Sequence, residues 1–356
     1  MNLTAKKSDF HALLSKATSV TENKATMPIL ASVLLDAHGD TLSVSAYDLE
    51  VAYLGYVGAE VKKPGKVAVS AKALGDVVRS LPDEVVSLLL EKNRLVVKSG
   101  SAEFRLATSP VEEFPALPVG VEGVGFVIDG AVFARALDEV AYAQSHDETR
   151  YSLNGTLLEG LDGSLAMTAT DGHRLAHTEV AVEGVKFDGV IVSRKTSTLL
   201  RRVLVAGEAK VDVSENAVLV RQGHETLVAR LIDGGYPNYR QVTPEKTEPT
   251  SMDAKKLTSV LGRMKLVDEK TVWKFENGWL EVSASNPDLG DVTEGLGTDF
   301  AGKTRFALNG QYLRETLHAW SGDTVLMQIP TDELSPVLLT SGKNEASWAV
   351  IMPVRM

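Results

Sequence analysis

Phe10-His-Ala-Leu-Leu-Ser-Lys-Ala17 puts Phe10, Leu13, Leu14 and Ala17 at i, i+3, i+4 and i+7, one apolar face of a helix. The same spacing returns 123 residues later at Phe133, Ala136, Leu137 and Val140. It returns again after a further 124 at Leu257, Val260, Leu261 and Met264. Solenoid repeats run to roughly 20–50 residues, so this period is that of a whole domain. The 356 residues divide into three parts of about 120, near the commonest domain size. Three copies of one domain point to a geometric object, an arc or ring, rather than to a single catalytic cleft.

Each third follows one programme: the amphipathic helix, strands, a second short helix, more strands. The second helices begin at Ser70-Ala-Lys-Ala, Ser193-Arg-Lys-Thr and Asn309-Gly-Gln-Tyr. Ser and Asn suit the N-cap because their side-chain oxygens accept unpaired backbone N–H groups. The apolar faces read Leu74, Val77, Val78, Leu81 in the first third and Leu313, Thr316, Leu317, Trp320 in the last; Leu199, Leu200, Val203, Leu204 in the middle are less regular. Between the helices, Leu42-Ser-Val-Ser-Ala-Tyr-Asp48, Leu165-Ala-Met-Thr-Ala-Thr-Asp171 and Leu280-Glu-Val-Ser-Ala-Ser-Asn286 each read as a strand running into a turn opened by Asp or Asn. Hairpins are expected at Val85–Leu90 with Arg94–Lys98 and at Lys210–Val213 with Ala217–Arg221. The strongest is Trp273–Phe275 with Trp279–Ser283, because Asn277-Gly278 suits a type I′ turn. Pro- and Gly-rich joints at 114–125 and 236–249, opened by Phe114-Pro115 and Tyr236-Pro237, predict domains at 1–118, 124–242 and 243–356.

The chain has no cysteine, hence no disulfide or thiolate chemistry. Lys6, Lys7 and Asp9 interrupt any signal core and no run is long enough to span a membrane, so a cytoplasmic protein with no membrane partner is expected. A net charge of −10 argues by itself against nucleic acid. The distribution argues the other way. The helical windows 5–20, 70–81, 130–145, 193–206, 252–267 and 309–321 hold 15 Lys and Arg against 6 Asp and Glu, a net +9 against −19 elsewhere. Such a chain can turn one positive surface toward a polyanion while its outside stays negative. Lys and Arg do favour helices in general. The size of the contrast, and its coincidence with the repeat, favour the surface.

Enzyme signatures are missing. The seven His are scattered, without the close ligand pairs of a zinc site, so no metal is expected. Gly120, Gly123 and Gly125 follow a Pro-rich joint in the wrong order for a dinucleotide fingerprint, and no P-loop is present, so no cofactor is expected either. Asp171 and His173 form an Asp-x-His pair, but no nucleophile-elbow Ser accompanies them. They leave one alternative: an unrelated β-rich three-domain hydrolase or binding protein centred on His173.

Arg150-Tyr-Ser-Leu-Asn-Gly, Ala169-Thr-Asp-Gly-His-Arg-Leu-Ala176, Tyr236-Pro-Asn-Tyr-Arg, Ala25-Thr-Met-Pro-Ile-Leu30 and the tail Val350-Ile-Met-Pro-Val-Arg-Met356 together resemble the bacterial DNA polymerase III β subunit family, the DNA sliding clamps. The resemblance covers the whole chain. It implies an α+β fold of three DNA-clamp domains, each with two inner helices and outer antiparallel sheets, forming half of a head-to-tail dimeric ring. It implies a non-enzymatic processivity factor on duplex DNA, read without sequence preference. Implied partners are a second copy, the DNA polymerase III alpha subunit, the clamp-loader complex, and other polymerases and repair proteins carrying short clamp-binding peptides.

DNA contacts carried over from the family are Lys24, Lys72 and Tyr151; the helix charge adds Arg79, Lys195, Arg201 and Arg202. The implied peptide pocket takes Arg150, Leu153, Thr170, Gly172, His173, Arg174 and Leu175 from the middle third. It takes Pro237, Val242, Tyr312 and Pro336 from further on, and Val350, Met352, Pro353, Val354, Arg355 and Met356 from the tail. Apolar Leu, Val, Met and Pro would form its cleft, with Arg and His at the rim to orient a peptide. Phe104, Leu266 and Val267 match the family's dimer joint. The sequence departs from the family at Asp147, Glu148 and Ser152, where two acids would repel phosphate, and at Gln241, where some members are basic.

Overall fold

A computed structural model of the chain describes residues 1–22, 27–118, 120–245 and 247–356. Among them are six α-helices: α1 (Lys7–Val20), α2 (Ala71–Ser80), α3 (Gly130–Ala141), α4 (Arg194–Val203), α5 (Ala254–Met264) and α6 (Gly310–Trp320). The expected apolar faces are the buried ones. Phe10, Leu13, Leu14 and Ala17 are buried on α1, and Leu257, Val260, Leu261 and Met264 on α5. Phe133, Ala136, Leu137 and Val140 are buried in the middle copy. The second helices start where the caps predict. Ser70 Oγ accepts from the Ala73 amide at 3.4 Å, Ser193 Oγ from Thr196 at 3.1 Å, and Asn309 Oδ1 from Gln311 at 2.9 Å.

The fold divides into two compact units, residues 1–134 with 198–231, and 135–197 with 232–356. The first unit holds a run of eight antiparallel strands within a larger sheet. Its strands run in the order Gly65–Ser70, Ser32–His38, Thr41–Tyr47, Val51–Lys63, Glu225–Ile232, Ala217–Gln222, Glu208–Val213, Val124–Asp129. The second unit holds its counterpart, in the order Phe187–Ser193, Gly155–Leu161, Ser164–Thr170, Arg174–Ala181, Trp348–Ile351, Val337–Ser341, Thr324–Gln328, Thr250–Asp253. Each run is therefore two four-stranded halves joined edge to edge. In the first, Val51 lies opposite Ala229 and Gly55 opposite Glu225. In the second, Arg174 lies opposite Ile351 and His177 opposite Trp348.

The three echoed strand ends explain why the joints fall there. Asp48 Oδ1 accepts from the amides of Glu50 and Val51 at 2.9 and 2.6 Å. Asp171 Oδ1 accepts from His173 and Arg174 at 2.9 and 3.0 Å. Asn286 Oδ1 accepts from Asp288 and Leu289 at 3.0 and 3.3 Å. A side chain that imitates a backbone turn reverses the chain at the same place in each third. The strand launched by the first turn crosses into one joint, and the strand launched by the second into the other. The third launches Gly290–Gly297, paired to Trp279–Asn286 on one side. Asn277 and Gly278 both have positive φ (50° and 80°), as a type I′ hairpin requires.

Candidate functional site

In the first unit the polar side of α1 meets α2. His11, Ser15, Thr18 and Ser19 line a shallow cavity of about 260 Å³ with Lys72, Gly75, Asp76 and Arg79. Lys72 is exposed, and Arg79 projects beside its ion-pair partner Asp76 at 2.6 Å. A solvent-exposed pair one helical turn apart holds little energy, so a phosphate can take that guanidinium over. Arg202, from α4, donates to Ser19 Oγ at 2.7 Å and brings a third cation to the same helix. Arg201 is half-buried and donates to Thr198 Oγ1 at 3.4 Å. Lys195, in the second unit, is half-buried on α4. Tyr151 is 59% exposed on a 3-10 turn (Glu148–Leu153), its ring lying over Gly234. Lys24 lies outside the described residues.

The helical charge surplus is partly committed elsewhere. Lys16 pairs with Glu225 at 2.5 Å across the first joint, where Tyr53 also donates to Glu225 at 2.9 Å. Burial first, and then the Glu225 carboxylate, push the Tyr53 phenol far up, so it stays protonated as donor. Lys7 Nζ is tied to the Leu81 carbonyl, and Arg263 to Glu294 at 2.6 Å. Asp147, an acid the sequence sets against DNA, caps its own turn. It accepts from the Thr149 hydroxyl at 2.7 Å and the Thr149 amide at 2.9 Å, which hold its carboxyl below the usual range.

The second unit gathers most of the expected pocket around the second joint. Leu175 and Val350 face each other across it and share an apolar cluster with Leu157, Ile191, Tyr239 and Leu338. The Met352 amide donates to the His173 carbonyl at 2.9 Å, and Val354 to Ala307 at 2.8 Å, so the tail runs on past the joint. Met352, Val354, Arg355 and Met356 are exposed and Pro353 half-buried. Thr170 is buried; its hydroxyl donates to the Arg174 carbonyl at 2.5 Å and accepts from the Gly172 amide at 3.1 Å. Gly172 has φ +88°, and an added Cβ would come within 2.9 Å of Arg150 Nη1, so this turn needs glycine. Arg150 is exposed and donates to the Asp171 carbonyl at 3.1 Å. Pro237 lines a neighbouring cavity of about 360 Å³ with Leu157, Glu159, Tyr236, Tyr239 and Arg240. Leu153 is buried, Pro336 half-buried, and Val242 exposed.

Arg174 corrects the sequence reading. It is not at the rim: it is 9% exposed, bound by Asp171 and Glu315, with its guanidinium 4.4 Å from the centre of the Tyr312 ring. Sequence reasoning also missed Glu315, and the seam in which Ser347 and Thr178 both donate to Glu139, at 2.6 and 3.0 Å. It missed the stack of buried His177 on Trp348, ring centres 4.7 Å apart. These partners are distant in the chain and carry no local signal. His173 is exposed, with its amide bound to Asp171. Among the described residues no cluster of His, Asp and Glu could hold a metal, and no helix is long and apolar enough to cross a membrane.

At the expected dimer joint Leu266 is 76% and Phe104 37% exposed, while Val267 packs against the core of the last third. Residues 1–118 match the N-terminal domain of the DNA polymerase III beta subunit, 127–238 its central domain and 240–355 its C-terminal domain. The chain belongs to the DNA polymerase III beta subunit family. It is 32% identical over 373 residues to the beta sliding clamp of Caulobacter vibrioides, with all of both chains covered. It is 31% identical over 355 residues to that of Pseudomonas aeruginosa, with 96% of each covered. A crystal structure of a DnaN sliding clamp from P. aeruginosa bound to griselimycin superposes with a TM-score of 0.94 at 30% identity, over 100% of both chains. Full-length likeness to sliding clamps leaves the hydrolase alternative centred on His173 without support.

Proposed function

We propose that the chain performs the DNA sliding clamp function of its family as half of a head-to-tail ring of two copies closed around duplex DNA. One observation carries the reading: a joint made twice and left open once. The strand launched from Asp48 pairs with Glu225–Ile232, the closing strand of the middle third. The strand launched from Asp171 pairs with Trp348–Ile351, the closing strand of the last. The strand launched from Asn286, Gly290–Gly297, keeps one edge that no described residue pairs. The closing strand of the first third, Ala102–Ser109, is paired to Arg94–Ser99 on one side and touches Gly65–Ser70 only at its end. Making the same joint a third time sets Gly290–Gly297 against Ala102–Ser109 of a second copy. Twofold symmetry then makes its mate, six joints in all, and both exposed edges are covered. Phe104, Leu266 and Val267 would flank it, and the domains would be 1–118, 124–242 and 243–356.

In that ring Lys24, Lys72, Arg79, Tyr151, Lys195, Arg201 and Arg202 meet phosphates. Contacts to phosphate carry no sequence information and permit sliding, so persistence comes from topology rather than affinity. The chain acts in the cytoplasm without catalysis of its own, and loading falls to a separate ATP-driven machine. Around Leu175, Val350, His173 and Met352 the pocket takes short peptides of the polymerase alpha subunit, the clamp loader, and other polymerases and repair proteins. Light scattering on the purified protein should give the mass of a dimer. Loaded by a cognate clamp loader, the protein should stay on circular DNA and run off free linear ends. Equal loss from both rejects the ring.

A further inference from the structure

Arg174 sits where the peptide pocket meets α6, and its charge is already answered twice. Nε donates to Asp171 Oδ2 at 3.0 Å, and Nη1 donates to Glu315 Oε2. The ring centres of Tyr312 and Tyr142 lie 4.4 and 5.4 Å from the guanidinium carbon. One cation held by two carboxylates leaves these three groups with an excess negative charge; Lys265, which also acts on Glu315, is itself paired with Glu269 at 3.7 Å. Burial pushes the Glu315 carboxyl up, but hydrogen bonds from Arg174 and Gln311 outweigh it and hold the group below the usual range, ionised at neutral pH. Gln311 Nε2 fixes the carboxylate's other oxygen at 2.5 Å. Arg150, which reaches the same turn, is exposed; it donates to a neutral carbonyl there and pairs with Asp147 at 3.6 Å.

We propose that Glu315 is a specificity-determining positioning residue of the peptide site: together with Asp171 it holds Arg174 away from any ligand carboxylate, so that the site rejects an acidic side chain at this point. The proposal rests on the reading of this pocket as a peptide site. A peptide carboxylate brought here meets two fixed carboxylates of its own sign, and Arg174 cannot turn toward it without abandoning both. Replacing Glu315 by Gln restores charge balance among the three groups and weakens the hold on Arg174 to a neutral hydrogen bond, while Gln keeps much of the shape.

The experiment is an aspartate scan of a synthetic peptide copying the clamp-binding segment of the cognate polymerase alpha subunit, titrated by fluorescence anisotropy. The full-length protein is compared with Glu315→Gln and Glu315→Asp. At one position Asp should weaken binding to the unmodified protein by about tenfold, as like charges at an interface do. That penalty should shrink as salt rises. Glu315→Gln should remove most of it while leaving the penalties at other positions unchanged, and Glu315→Asp should restore it. A purely structural role would weaken every peptide alike. The proposal is overturned if no position shows a salt-sensitive penalty, a result that needs no variant to fold, or if Glu315→Gln leaves the penalty in place. Failure of the parent peptide to bind the unmodified protein would instead overturn the pocket reading, and this one with it.

Discussion

Single side chains decide where this chain turns and which charges it can offer. His177 is a residue whose protonation near neutral pH is changed by folding. It is buried, hydrogen-bonded to Thr168 at 2.9 Å and stacked on Trp348. Burial lowers its pKa, against the opposing pull of Glu179 and Glu159, while Arg240 adds to the lowering. Tyr239 completes the surroundings, its ring centre 5.5 Å away. A histidine held neutral in the fold contributes full stability above its unfolded value of about 6.5, and that stability is lost as pH falls below it. Thermal melts from pH 8 to pH 5 should therefore show a falling melting temperature below about pH 6.5, with a shallower slope in His177→Gln. Equal slopes for the two proteins would remove His177 from the account. Glu179, two residues along the same strand, was legible as a neighbour, but the burial was not, because Thr168 and Trp348 come from two other strands.

Elements formed from their own neighbours were legible; elements formed from distant ones were not. The helix faces, the caps at Ser70, Ser193 and Asn309 and the Asn277-Gly278 hairpin rest on residues within a few positions, and the structure has each where the pattern predicts it. The edge-to-edge joints pair Val51 with Ala229 and Arg174 with Ile351, and no local pattern announces such pairs. Arginine is usually exposed, so Arg174 reads as a rim charge until Glu315 is seen beside it. The tail makes an element-scale test. Beyond Ile351 it is described by two backbone bonds, from Met352 and Val354, and ends on exposed Val354, Arg355 and Met356. Deleting Pro353–Met356 removes one of those bonds and this apolar surface, but touches neither Ala102–Ser109 nor Gly290–Gly297. Isothermal titration should show binding of polymerase-derived peptides abolished, and light scattering an unchanged dimer. Normal peptide binding by the shortened protein would refute the pocket.

At the scale of the molecule, the acidic total and the basic helices are reconciled only by asking which cations stay available. The sequence count of +9 on the helices credits Lys16, Lys7 and Arg263 equally with Lys72 and Arg202. The structure separates them: Lys16 is bound to Glu225 inside the first joint, whereas Lys72 and Arg202 are exposed around α1. The two groups should respond differently to salt. Each phosphate that the protein no longer neutralises should lower the slope of log K against log salt by about 0.9, so Lys72→Ala with Arg202→Ala should lower it by about 2 and weaken DNA binding mainly at low salt. Lys16→Ala should leave that slope alone and lower the melting temperature instead, because it strips the partner from a half-buried carboxylate. Retention of the loaded double variant on circular DNA should match the parent, since a closed ring is held by topology. A double variant whose DNA binding fell equally at all salt concentrations would mean that those cations support the fold rather than meet phosphate.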